Sequence, residues 1–131
     1  MTREQFEKLV AEGYDRLPKW VQEKIKNVAL LVEDEPSLEI RRRERLGRNQ
    51  TLLGYYQGIP LIARGSYYGV GATMPDTITL YQLPIEQEAG HDPEHIREVV
   101  ADTVWHEFAH HFGMNEHEVR TREETRRKKR N

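Results

Sequence analysis

Residues 92–113 demand one long helix, and the rest of the chain has to be arranged around it. Asp92 can cap its N-terminus, and Pro93 occupies the first helical position, where a missing N–H costs nothing. Ile96, Val99, Val100, Thr103, Val104 and Phe108 then recur at helical spacing and make one apolar stripe. At 1.5 Å per residue such a helix is about 30 Å long. Its stripe needs a surface to pack on, and the remaining apolar runs are short, as strands are. Val28–Glu33 is continuously apolar and reads as a buried strand ended by Glu35 and Pro36; residues 52–56 and 59–63 read as two strands joined near Gln57 and Gly58. Residues 77–81 alternate with strong strand chemistry, and Pro84 just beyond suits an edge strand. Thr2 can cap a first helix reaching to about Tyr14 through Phe6, Leu9 and Val10, with Gly13 weakening its end. A short second helix opens at Leu17 and Pro18, shows Trp20, Val21 and Ile25 on its buried side, and closes at Asn27. Residues 37–50 are polar and Arg-rich, a loop or an exposed helical piece, and residues 65–75 form a glycine-containing loop. The expected fold is therefore α/β, in the α+β sense: a small mixed sheet of three or four strands with the long helix packed on it.

Length and composition narrow what such a fold can do. A chain of 131 residues fits a single domain, 1–131, that can bury a core without a metal or disulfide staple. A metal would then be catalytic rather than structural. The absence of cysteine removes thiolate zinc sites, cysteine nucleophiles and a disulfide framework together. There is no signal-peptide-like apolar stretch and no run of about 18 apolar residues that could span a bilayer, so a cytoplasmic protein without membrane contact is expected. Formal net charge is −2, which does not favour nucleic acid as a partner. Arg41-Arg42-Arg43-Glu44-Arg45 and the seven Lys or Arg among the last twelve residues read as solvated faces. Residues 119–131 are expected to be a basic, fraying C-terminal helix.

On the long helix stands His106-Glu107-Phe108-Ala109-His110. Two histidines four residues apart project from one helix face and can share one metal ion, and Glu107 sits where a carboxylate can reach a water on that metal. Zinc lowers the pKa of its water to about 7 and polarises a carbonyl, and an adjacent glutamate can take the proton and return it to a leaving amine. That chemistry needs a carboxylate between the histidines rather than an amide. A catalytic zinc keeps three protein ligands and one open position. Gly113 can end the helix with a left-handed turn that brings Glu116, ten residues after His106, towards the metal. His117 and Glu118 are fallback ligands, and His111 belongs beside the site or against the sheet. The plainer reading is two ordinary helix histidines and a solvent-facing acid, an arrangement for which a helix packed on a sheet has little use. No oxyanion-stabilising residue is marked; Tyr67, Tyr68 and Tyr81 qualify by chemistry alone.

With these residues in place the sequence resembles the minimal zincin-like metallopeptidases, short bacterial single-domain proteins. The resemblance runs through Val28-Ala29-Leu30-Leu31-Val32-Glu33-Asp34-Glu35-Pro36, Leu53-Gly54-Tyr55-Tyr56-Gln57-Gly58-Ile59-Pro60-Leu61 and Pro75-Asp76-Thr77-Ile78-Thr79-Leu80-Tyr81. It ends in His106-Glu107-Phe108-Ala109-His110-His111-Phe112-Gly113, its most specific block. It implies a small mixed sheet backing the motif helix and one Zn2+ per chain held by His106, His110 and Glu116. It also implies that the strand matching residues 77–83 borders the cleft, so a peptide or protein substrate could pair with its edge, with residues 69–75 shaping access. The family usually carries aspartate where this chain has Glu116, and no methionine-containing turn is expected under the metal, since Met114 is too close to the helix. The function so implied is peptide-bond hydrolysis with Glu107 as general base. The alternatives are a non-catalytic metal-binding module that docks peptides and, lower in rank, an RNA-binding protein or metal-dependent nuclease.

Overall fold

The computed structural model describes residues 1–58 and 75–111. The expected strand at 59–63, the glycine loop apart from Pro75, Tyr67, Tyr68, Gly113, Met114, Glu116, His117, Glu118 and the basic C-terminal helix all lie outside the described residues.

Helix α1 (Arg3–Tyr14) begins where its cap predicts. Thr2 Oγ1 accepts from the Gln5 N–H at 3.1 Å, and Gln5 Oε1 accepts from the Thr2 N–H at 2.9 Å, a reciprocal capping box. The helix ends at Tyr14, as expected, with Gly13 in its last turn. That glycine is required by contact: a Cβ would stand 2.8 Å from the Arg97 carbonyl oxygen and 2.9 Å from Val100 Cγ1. Helix α2 (Lys19–Lys24) follows, with Val21 and Ile25 buried as expected. Trp20 is 42% exposed instead, yet its ring meets Trp105 and Phe108 edge-on at 5.9 and 5.7 Å, so it shields the core from outside.

Three strands form the described sheet: β1 (Val28–Glu33), β2 (Gly54–Gln57) and β3 (Asp76–Tyr81), in the order β1-β3-β2. Strand β1 runs parallel to β3 and β2 antiparallel to it. This corrects two expectations. Strand β3 is central, paired along both sides, so the edge at 77–83 proposed for a peptide is already occupied by the protein's own backbone. Pro84 did suggest an edge, but it belongs to the next element. Conversely β1 is not fully buried: it has one neighbour among the described strands, and Leu31 is 45% exposed. A short apolar run could not distinguish those positions. Between β1 and β2, helix α3 (Leu38–Arg43) is capped by Ser37, whose side chain accepts from the Ile40 N–H.

Helix α4 (Gln82–Ala89) starts directly from β3 and was not apparent in the sequence. Pro84 fits its first turn, where backbone N–H groups have no helical acceptor. Gly90 closes it at φ +67°, which lets the His91 N–H reach the Glu86 carbonyl at 3.0 Å. The long helix is α5 (Pro93–His111). Asp92 Oδ2 accepts from the His95 N–H at 2.9 Å, the cap that the sequence marks. Ile96, Val100, Val104 and Phe108 pack with Phe6, Leu9 and Val10 of α1, Val21 of α2, Ile78 and Leu80 of β3 and Ile85 of α4 in one core. Outside that core, Arg16 forks onto Glu94 at 2.6 and 2.7 Å and Arg97 reaches Glu12 at 3.0 Å, so α1 and α5 are tied by charge as well. Among the described residues no helix is long and apolar enough to cross a membrane.

Candidate metal centre

Towards its C-terminal end α5 lies against β2, with Thr103 at Gly54 and His111 stacked on Tyr56, and there the motif residues stand together. The four-residue spacing does what it predicts: the His106 and His110 rings lie side by side, centroids 4.6 Å apart and planes 35° apart. His106 is partly buried and His110 is exposed, so the pair opens to solvent on one side.

Glu107 is half-buried and carries a carboxyl pKa raised above its ordinary value. Burial is the leading cause, opposed by the Tyr56 backbone N–H, which donates to the carboxylate, and by the charges of His106 and His110 when protonated. A carboxylate so placed is more basic than one in water while still being held by a fixed donor. The donor is available because β2 comes unusually close to α5. A Cβ at Gly54 would lie only 2.7 Å from Thr103 Cγ2, 3.2 Å from the Thr79 carbonyl oxygen and 3.3 Å from Leu80 Cδ2, so only glycine allows this approach.

Tyr56 joins this corner a second way. Its hydroxyl donates to Asp76 Oδ2 at 2.9 Å, and its ring stacks on His111 at 3.6 Å with planes 15° apart. His111 Nε2 stands 3.9 Å from the same Asp76 oxygen, and burial lowers the imidazole pKa. His111 thus packs against the sheet, as its place on the helix suggests. Nothing in the sequence marks Tyr56 and Asp76 as partners at this site, and only the strand register brings them beneath the helix end. Tyr81 is fully buried on β3, its hydroxyl pKa pushed up to about 12 by burial first and then by Glu33, Tyr55 and Glu107. It stays protonated across the neutral range.

Beside His106 and Glu107 lies a cavity of about 480 Å³, walled by Thr51, Leu52, Leu53 and Gly54 on one side and by Val99, Asp102 and Thr103 of α5 on the other. Among the described residues no group of three His, Cys, Asp or Glu side chains is placed to hold a metal. The described part of α5 brings two imidazoles and one carboxylate together; the expected third ligand, Glu116, and its fallbacks His117 and Glu118 fall outside it. What is present fits a catalytic zinc: two nitrogen donors near enough to share one ion, and an unligated carboxylate beside them.

A mixed three-stranded sheet backed by a helix that bears two imidazoles around a carboxylate defines a small α+β domain of the zincin kind. The model of the zincin-like metallopeptidase family matches residues 25–126, more than three quarters of the chain, and the protein belongs to that family. No curated protein matches the chain.

Proposed function

We propose that the protein is a zinc-dependent peptidase whose general base is Glu107. The observation that carries this reading is the arrangement itself: a half-buried carboxylate held by the Tyr56 N–H and flanked by two imidazoles on a helix of a metallopeptidase family. His106 and His110 would hold the ion, with Glu116 as the proposed third ligand. When bound, zinc supplies a Lewis acid that polarises the scissile carbonyl and brings the pKa of water near 7. Glu107 accepts the proton of the attacking water and delivers it to the departing amine, and the Tyr56 N–H keeps the carboxylate aimed through both transfers. Asp76 and His111 fix Tyr56 in turn, one through its hydroxyl and the other through its ring. The substrate is a peptide or protein, seated in the cleft beside α5 and not by strand addition to β3, which has no open side.

Elemental analysis of protein purified without added metal, beside a His110→Ala variant, tests the centre. One zinc per chain, absent from the variant, is expected. No zinc in either after incubation with the metal would overturn the reading. One zinc per chain with no cleavage of any peptide in a mixed library would leave a metal-binding module in place of an enzyme.

A further inference from the structure

One face of the sheet packs through Ile78 and Leu80 into the core with α5; the other carries a polar pocket. Strand pairing sets Glu33 beside Tyr81 and Tyr55 opposite Thr79, all four on that second face. They line a cavity of about 170 Å³ whose other wall is Ser37, Ile40 and Arg43 of the α3 segment. Tyr81 is only 1% exposed, so its hydroxyl has left bulk water. That hydroxyl makes no hydrogen bond among the described residues, and burial, then neighbouring charge, accounts for its raised pKa. Its oxygen is not sealed into the core either, and the cavity is where it opens. The groups around it are already engaged, with one exception. Arg43 pairs with Glu39 at 2.7 Å and bonds the Tyr55 hydroxyl, which Glu44 also holds. Ser37 Oγ accepts from the Ile40 N–H and keeps its own proton to give. Glu33 is the exception, with neither ion pair nor hydrogen bond among the described residues.

From this combination we infer that the cavity binds a small neutral polyol, a sugar ring or its open-chain equivalent, on the sheet face turned away from α5. The Tyr81 hydroxyl lacks an acceptor and the neighbouring Glu33 carboxylate can take a donor; a ligand hydroxyl is both at once. An ammonium has no lone pair to offer Tyr81. An anion would meet Glu33 and Glu39, and Arg43, the guanidinium in the wall, is already paired. A metal ion lacks a third carboxylate or imidazole among the described residues. Ser37, Thr79 and Gln57 add further groups that both donate and accept, which suits a ligand carrying several hydroxyls. Room for about six water volumes admits one such molecule and not a peptide chain. The inference goes beyond the peptidase reading and needs no part of it.

Amide resonances of the full chain, followed during titration with D-ribose, erythritol, ethylammonium and acetate, test this on wild type and on Tyr81→Phe. Saturating shifts at Tyr55, Thr79 and Tyr81 are expected with ribose or erythritol, and the tighter of the two tells whether the site prefers a ring or an open chain. Tyr81→Phe removes only the hydroxyl and should weaken that binding about tenfold. The same variant should keep or slightly raise the thermal midpoint, because the deleted group has no partner inside the described protein. A clearly lower midpoint would show that the hydroxyl serves the fold, and would overturn the inference. No saturation with either polyol, or binding that Tyr81→Phe leaves unchanged, overturns it too and leaves water as the occupant. Tighter binding of ethylammonium or acetate than of both polyols also overturns it. None of these results depends on zinc or on cleavage, so failure here leaves the peptidase reading standing.

Discussion

The two halves of α5 are one continuous helix held by different physics. Its first half, from Pro93 to about Val104, is capped by Asp92, packed through Ile96, Val100 and Val104 onto α1, and braced by Arg16, Arg97, Glu12 and Glu94. Nearly every contact there is apolar burial or a solvent-facing ion pair. Its second half keeps apolar anchors in Trp105 and Phe108 but turns His106 and Glu107 towards a cleft, with the exposed His110 beside them. These are steadied by groups far away in sequence, the Tyr56 backbone and the Tyr56–Asp76 pair. One half supplies stability and the other holds partly desolvated polar groups at a cost that the first half offsets. The comparison predicts that function and stability can be damaged separately.

The largest effect should come from Glu107→Gln. Removing the proton acceptor while keeping the side chain's shape should lower turnover of any cleaved peptide by at least about 100-fold, with zinc content and thermal midpoint nearly unchanged. Turnover that survives the change would mean that the second half of α5 carries no acid–base chemistry. Ile96→Ala attacks the other half. Ile96 is fully buried, so its truncation should cost about 2–5 kcal/mol of folding free energy by denaturant unfolding. The protein that remains folded should still bind zinc and turn over normally. If turnover per folded molecule also collapses, the halves are not separable.

Gly54→Ala sharpens the boundary between them, because Gly54 touches both. The added Cβ meets Thr103 Cγ2 and the Thr79 carbonyl oxygen, so β2 has to move away from α5. The overpacking should cost about 1–3 kcal/mol, a smaller loss of stability than at Ile96. Yet the displaced Tyr56 N–H should reduce turnover more than Ile96→Ala does. Unfolding curves and steady-state rates on the same two variants give the ranking; the reverse order would show that the approach of β2 serves packing alone.

The same division explains what could be read in the sequence. Caps are local chemistry: Thr2 with Gln5, and Asp92 with Pro93, announce α1 and α5 to within a residue, because each device acts over three or four positions. The histidine pair and the carboxylate between them are equally local, a spacing on one helix. Strand order is not local. Nothing in Thr77, Ile78, Thr79, Leu80 and Tyr81 says that two strands flank them, and Pro84 pointed to an edge although it opens the next helix. Gly54 does lie in a strand, as its surroundings suggest, but its close contact with Thr103, almost fifty positions later, is not written in that segment. Tyr56 and Asp76 lie twenty positions apart and become partners only through the pairing of β2 with β3. The His106, Glu107 and His110 constellation was legible, and the scaffold beneath it was not.

The smallest effect belongs to the charge clamp on the first half of α5, and it is read through pH. Arg16 and Arg97 hold the Glu94 carboxyl well below its ordinary 4.5, down to about 2, the Arg16 hydrogen bond being the leading cause. A carboxylate whose pKa is depressed by folding contributes stability that is fully present above its unfolded value, and that contribution drains away as the pH falls through its folded value. The protein should therefore lose stability between about pH 4.5 and pH 2, beyond what its other carboxylates account for. Glu94→Gln should flatten that part of the curve and leave the midpoint near pH 7 slightly lower, as exposed ion pairs are weak and salt-screened. Zinc binding and turnover at neutral pH should not change, since the clamp lies on the half of α5 far from His106. A thermal-midpoint series against pH, run on wild type and variant at low and high salt, checks all of this together. Coincident acid limbs would show that the clamp is a contact without energetic weight, leaving burial alone to hold α5 against α1.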